Sequence, residues 1–429
     1  MQDPSSPSLE TAVVSRLMWR LMPFLFLLYI VAYLDRINLG FAILQMRGQL
    51  NLSDSVFGNA AGIFFFGYLI FQLPSNLILE KVGVRRWIFV LMVLWGLVSC
   101  SMIFVRGPKS FYALRFLLGA AEAGFFPGMI LYMKNWFPVS ARGRAVAWFM
   151  MANPLAGLIG SPISGALLGR HEYGLAGWQW LFLVEGLPAI VLGFAVLWVL
   201  VDSPLRITWL SGPQRDWLSS ELERERVETA SDGGDQSNMF HAVGRSILLS
   251  LVYFALPACM YGVTFWLPTA VRGLGLGYSS TGRVVAIPYI VTAIAMVVVG
   301  ISSDRSGERV WHTAAPAFFG GVALALAAYS GSPWIVIVGM SLGMVGAQSM
   351  AGPFWAMATS RTSGRAAAVG IAVINSLGNL GGYFGPSIIG FVRSSSGQFH
   401  GLLAIGVVMA ISAIIALVIG RNLAQPEPA

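Results

Sequence analysis

Charge is scarce in this chain. Of 429 residues, 11% are Asp, Glu, Lys or Arg, against about 25% in soluble globular domains. There are 4 histidines and 2 cysteines. His171, His241, His312 and His400 fall in loops or at the edges of apolar runs, and no lysine stands inside such a run. A buried histidine relay therefore has no residues to build it. Cys100 and Cys259 fall in different apolar runs and read as small buried hydrophobes rather than a disulfide. H-E-x-x-H does not occur, and the connecting segments are too short for a catalytic domain, which argues against an enzyme.

Apolar sequence is abundant instead. Hydrophobic residues make up 56% and mean hydropathy is +0.72. A membrane-crossing helix needs about 20 such residues. Twelve runs qualify: 21–43, 56–79, 87–105, 111–133, 143–168, 180–201, 246–270, 283–301, 313–331, 333–357, 366–391 and 400–420. The expected fold is an all-α membrane protein with twelve transmembrane helices in two pseudo-symmetric six-helix halves.

The division is a tail at 1–20, a first half at 21–201, a central linker at 202–244, a second half at 245–420 and a tail at 421–429. Arg16 and Arg20 precede an apolar run that continues past any small-residue cleavage site, so the first run reads as retained. With the N-terminus inside, basic residues concentrate on inner segments, among them Arg86, Lys134, Arg142 and Arg144. Both termini are then cytoplasmic and the first two runs are joined outside. The pI of 9.7 follows from this topology and gives no support for nucleic-acid binding. In the linker, Pro213 to Glu228 (PQRDWLSSELERERVE) reads as a helix, and Ala230 to Asn238 (ASDGGDQSN) as flexible.

Two inner loops repeat. NLILEKVGVRR (Asn76 to Arg86) and GISSDRSGER (Gly300 to Arg309) align with one constant offset. Glu80-Lys81 matches Asp304-Arg305, Gly83 matches Gly307, and Arg85 matches Arg309. Each copy ends a helix with an acid, a base and a turn glycine, then adds a base. This predicts a charge-paired latch between helix ends. The pattern resembles the G-x-x-x-D-R-x-G signature loop of the major facilitator superfamily. The second copy fits fully, while the first has Asn76 for the glycine and Glu80-Lys81 for Asp-Arg.

Asp35, Glu122 and Glu185 are the acids that read as intramembrane, with Arg36 and Arg115 as bases. Charged residues there usually face a cavity or a partner. At 1.5 Å per residue, Asp35 lies about 21 Å above the inner edge of the core and Arg115 about 24 Å. The two are therefore expected to pair. Arg36 points about 100° away from Asp35 and is left for a carboxylate, whose two oxygens suit a planar guanidinium. Glu122, on the face of Arg115 and in apolar surroundings, is a candidate proton carrier. Glu185 reads as structural, bonded near the outer end of its run.

YLDRINLGFA, RFLLGAAEAGFFPG, WQWLFLVEGLPA and NSLGNLGGYFGP together resemble the anion:cation symporter family within that superfamily, from about Arg16 to Arg421. The resemblance implies proton-coupled uptake of organic anions such as tartrate, sugar acids or phthalate. It implies proton sites at Asp35 and Glu122, substrate contact at Arg36, and coupling of Arg115 to Asp35. Further pocket candidates are Tyr33, Tyr68 and Asn153 in the first half, and Tyr261, Thr264, Gln348, Trp355, Asn375 and Asn379 in the second. Asn375 and Asn379 share a helical face.

The expected function is proton-coupled import of a hydroxy-carboxylate or aldonate by alternating access. The competing readings are sodium-coupled or exchange transport of an aromatic carboxylate such as phthalate, and a nontransporting membrane ligand sensor. The expected partners are a small organic anion, protons and the lipid bilayer, with no nucleic acid, no metal and no cofactor. A monomer in the inner membrane is the expected state.

Overall fold

A computed structural model describes residues 9–204, 207–231, 236–359 and 364–424. Among these residues the secondary structure is helical, with no strand. The first half comprises α1 (Leu9–Gln49), α2 (Asp54–Val82), α3 (Val84–Phe104), α4 (Pro108–Trp136), α5 (Val139–Leu167) and α6 (Gly177–Val199). A linker helix covers Gly212–Ser231. The second half comprises α7 (Gln236–Arg272), α8 (Tyr278–Ser306), α9 (Val310–Ala328), α10 (Pro333–Thr359), α11 (Gly364–Gly378), α12 (Gly381–Ser396) and α13 (Leu402–Ala424).

Among the described residues, eleven helices are long and apolar enough to cross a membrane. The remaining expected run, 366–391, is built by α11 and α12 in succession, each too short to qualify alone. Three boundaries differ from expectation. The helix of the first run already begins at Leu9, inside the expected tail. The linker helix extends to Ser231, and α7 starts at Gln236, inside the stretch expected to be flexible. Residues 232–235 of that stretch lie outside the described residues.

Local chemistry sets the ends. Ser53 caps α2, its hydroxyl accepting from the Val56 amide at 3.2 Å. Pro108 and Pro333 sit in the first turns of α4 and α10, where no amide donor is needed. Gly83 and Gly307, the matched glycines of the two loop copies, both take positive φ, +89° and +67°.

The halves correspond in detail. Helical regularity lapses at Ala123–Gly124 in α4 and at Met350 in α10, and again at Met151 in α5 and at residues 379–380 between α11 and α12. Under the offset of the loops these places correspond to within five residues. The halves also meet along matching seams, α2 against α12 and α5 against α8, with α1 against α7 between them.

Glycines make both seams possible. A Cβ on Gly58 would stand 2.6 Å from the Pro386 carbonyl, and one on Gly165 2.6 Å from that of Tyr278. Gly58 faces Gly390, and Gly165 faces Gly282. Such close backbone approach is how helices associate where lipid supplies no hydrophobic drive. Both crossings lie toward the face opposite the linker helix, called here the far face. The linker helix and the ends of the described chain occupy the end face.

Candidate functional site

The centre of the site is Arg36, on α1 at the boundary between the halves. Its Nε and Nη2 reach Glu122 Oε2 on α4 at 2.9 and 2.8 Å. Its Nη1 donates to the Tyr261 hydroxyl on α7, in the other half, at 2.9 Å. The guanidinium also lies over the rings of Phe64, Tyr33 and Tyr68, with centroids 5.2 to 5.6 Å away. The Arg36 side chain is 14% exposed and that of Glu122 1%. Glu122 Oε1 has no hydrogen-bond partner among the described residues.

The structure corrects the expected pairing. Asp35 does not bond Arg115. Its Oδ1 accepts from the Ser99 hydroxyl on α3 and from Asn38 Nδ2 at 3.3 Å. Arg115 instead donates to the Ala60 and Ala61 carbonyls of α2 at 3.2 and 3.5 Å and lies on the Phe64 ring. Equal depth fixed the height of the two groups but not their rotation about each helix. Arg36, expected to be free for substrate, is held by Glu122.

A second layer completes the boundary. Gln348 on α10 donates to Asn153 Oδ1 on α5 at 3.3 Å, joining the halves. Tyr33 and Asn153 both point at the Met260 sulfur on α7, at 3.7 and 4.0 Å. Tyr289 bonds Thr264 at 3.4 Å. Tyr261 packs on Phe65 at 4.5 Å. Trp355 packs edge-on to Tyr253 at 5.1 Å. Asn375 and Asn379 are half-buried where α11 gives way to α12, and no hydrogen bond described there uses their side chains. Sequence reasoning missed Met260, Phe64 and Phe65, because nothing marks one apolar residue among many as facing a polar boundary.

Glu185 is also placed differently from expectation. It lies well inside the fold rather than against a loop, and accepts from Ser164 on α5 at 2.8 Å. The far face holds a link that sequence reasoning did not find. Asp54 at the start of α2 binds Arg47 at 3.0 Å and also Arg393 of α12, across the two halves.

The expected loop latches differ from one another. In the second copy Arg309 pairs with Asp304 at 2.6 Å and bonds Ser303 at 3.0 Å. In the first copy the acid is Asp202 rather than Glu80, accepting from the Arg85 amide at 3.1 Å, while the Arg85 guanidinium donates to the Leu197 carbonyl. Glu80, Lys81 and Arg305 are exposed. The end of α6 approaches the first loop and displaces the local acid from that role.

Comparison with known proteins agrees with this architecture. The sequence profile described as Major Facilitator Superfamily matches residues 25–386. A protein of Agrobacterium vitis, provisionally named a tartrate transporter, is 46% identical over 418 residues, covering 96% of each chain. A quinolone resistance transporter of Acinetobacter baumannii is 38% identical, covering 97% of each. Among solved structures, a bacterial homologue of the human lysosomal transporter Spinster, in an inward-facing and unoccupied conformation, superposes with TM-score 0.76 at 16% identity. That match covers 99% of this chain and 100% of the other.

Proposed function

The chain belongs to the major facilitator superfamily and is a multi-pass membrane transporter, and from that premise we propose that it imports a small organic anion together with a proton. The substrate class is a hydroxy-carboxylate or sugar acid such as tartrate. The observation that carries the reading is the buried Arg36–Glu122 pair bonded across the halves by Tyr261.

The pair is an exchange site. An incoming carboxylate competes with Glu122 for the Arg36 guanidinium. Once displaced, the Glu122 carboxylate stands in apolar surroundings without its cation, and taking up a proton removes that cost. Substrate and proton then enter together. When both leave, Arg36 and Glu122 pair again and the empty carrier returns with its central charges neutralised. Neutral donors and acceptors at Asn153 and Gln348 suit substrate hydroxyls. The seams closed at the far face fit a state open to the cytoplasm, with the end face inside, both termini cytoplasmic and the carrier in the inner membrane. This is the alternating access of inverted-repeat transporters.

The rings of Phe64, Phe65, Tyr33 and Tyr68 around Arg36 favour a second reading, an aromatic carboxylate such as phthalate. Proteoliposome uptake of tartrate, galactonate and phthalate under an inward proton gradient tests both. Accumulation of one acid that collapses with a protonophore supports symport and selects the class. Equilibration indifferent to the gradient overturns proton coupling.

A further inference from the structure

One acid at the far face holds two bases, and the two belong to different halves. Asp54 is buried in the first turn of α2. Its Oδ1 meets Arg47, in the last turn of α1, at 3.0 Å, and its Oδ2 meets Arg393, in the last turn of α12. Each helix end favours the charge it carries. Arg47 and Asp54 sit in the same half, joined by residues 50–53, so a rigid movement of the halves leaves them together. Arg393 belongs to the other half. Its guanidinium lies over the rings of Trp266 and Phe399, also of that half, with centroids 5.7 and 4.9 Å away. The Arg47 side chain is 49% exposed and that of Arg393 15%.

The two arginines therefore bear on opening in opposite senses. Separating the halves pulls Arg393 away from Asp54. A buried carboxylate left alone is costly, but Arg47 stays beside it and, being half exposed, has room to bind both oxygens. Arg393 keeps its two rings, a cation–π setting. Its Nε is buried and has no hydrogen-bond partner among the described residues, so water reaching it on opening removes a deficit. No charge is stranded on either side. The matching seam has no such device. The loop offset carries Asp54 onto Tyr278, Arg47 onto Val271 and Gly169 onto Arg393. Among the described residues no ion pair joins α5 to α8, and that seam closes by packing such as Gly165 against Gly282.

We propose that Asp54 is the exchange point of a one-sided ionic clasp: Arg393 holds the far face shut, and Arg47 takes over the carboxylate when the face opens. The two seams then resist opening unequally. The far face is the outer face only under the transport reading above, whereas the clasp does not depend on it.

Labelling of a reporter thiol in the full-length protein in detergent, without substrate or gradient, tests the clasp. Ser387→Cys places the thiol in the seam, where Ser387 bonds the Gly58 carbonyl at 3.2 Å. Protein without that substitution gives the background from Cys100 and Cys259. With the reporter present, Arg393→Gln should raise the labelling rate on the order of 10-fold, the effect of one hydrogen bond between charged groups. Arg47→Gln should leave the rate at or below that of the parent. Asp54→Asn, close to the native side chain in shape, should label as fast as Arg393→Gln and replaces it should the arginine variant fail to fold. Added to Asp54→Asn, Arg47→Gln should change nothing. An unchanged rate in folded Arg393→Gln or in Asp54→Asn overturns the clasp. A rise in Arg47→Gln alone overturns the division of roles and makes the arginines equivalent props. The assay involves neither substrate nor proton gradient, so its failure leaves symport standing, and failure of symport leaves the clasp standing.

Discussion

Replacing Glu122 by Gln should tighten substrate binding while abolishing its coupling to pH. Glu122 touches Arg36 through one oxygen, at 2.9 and 2.8 Å. Glutamine keeps the shape and one acceptor but removes the negative charge that competes with substrate. Hydrogen bonds to charged groups contribute about 1.5–3 kcal/mol, and every 1.4 kcal/mol is tenfold in affinity. Loss of the competitor should therefore lower the Kd for a tartrate-like dianion roughly 10- to 100-fold at neutral pH. The sign in the wild type follows: binding strengthens as pH falls, because protonating Glu122 releases Arg36. The variant should bind with nearly flat pH dependence, exchange labelled substrate across the membrane, and fail to accumulate it under a proton gradient. Calorimetric titration across the acid-to-neutral range, paired with counterflow in proteoliposomes, reads all three. An unchanged Kd with the wild-type pH slope would refute the competition on which the mechanism depends.

Other perturbations have equally definite outcomes. Arg36→Lys loses the planar fork and the reach to both Glu122 and Tyr261, and should weaken binding on the order of 100-fold; near-normal affinity in the same titration contradicts its role. Gly282→Val puts atoms into the Ser161 carbonyl of the facing helix, so the far-face seam should not close. A cysteine at Ser387, which in the intact seam bonds the Gly58 carbonyl at 3.2 Å, should become reactive to an impermeant thiol reagent in that variant and stay protected otherwise. Glu308 caps α9, accepting from the Trp311 and His312 amides at 2.7 and 3.2 Å. Burial raises its carboxyl, but those bonds outweigh burial and hold it below the ordinary carboxylate value. Its contribution is therefore present above the unfolded value and lost as pH falls through the folded one. Glu308→Gln should cost about 1 kcal/mol at neutral pH, seen as a lower thermal midpoint, with the difference from wild type vanishing in acid.

Much of the frame was legible because it depends on composition and period. Runs of apolar residues predicted the helices, and the repeated loop predicted two halves. The matched glycines at 83 and 307 share the positive φ that the loop requires. What failed were statements about azimuth. Asp35 and Arg115 are both buried, yet depth along the helices leaves rotation undetermined, and Ser99 and the α2 carbonyls took the two groups apart. The partner of Glu185 was out of reach for the same reason. Ser164 is an unremarkable serine in a glycine-rich helix, visible only once α5 and α6 are packed together. Asn38 did carry a signal, since it lies three residues after Asp35 and so on nearly the same face.

The repeat also explains why the site is chemically lopsided. The offset that matches the loops carries Gly58 onto Gly282, so the two far-face seams are copies of one helix crossing. The same offset carries Arg36 onto Met260 and Asp35 onto Cys259. At its centre, then, the second half presents a thioether where the first presents a guanidinium. Met260 meets Tyr33 and Asn153 from the opposite half, which gives the boundary polarity without a second charge. Symmetric seams let two halves rock about a common centre, whereas a symmetric centre would place two guanidiniums against each other. Among the described residues, confining the central charge to one half keeps Arg36 as the single cation at the centre of the boundary. One carboxylate at a time, either that of Glu122 or that of the substrate, can then neutralise it.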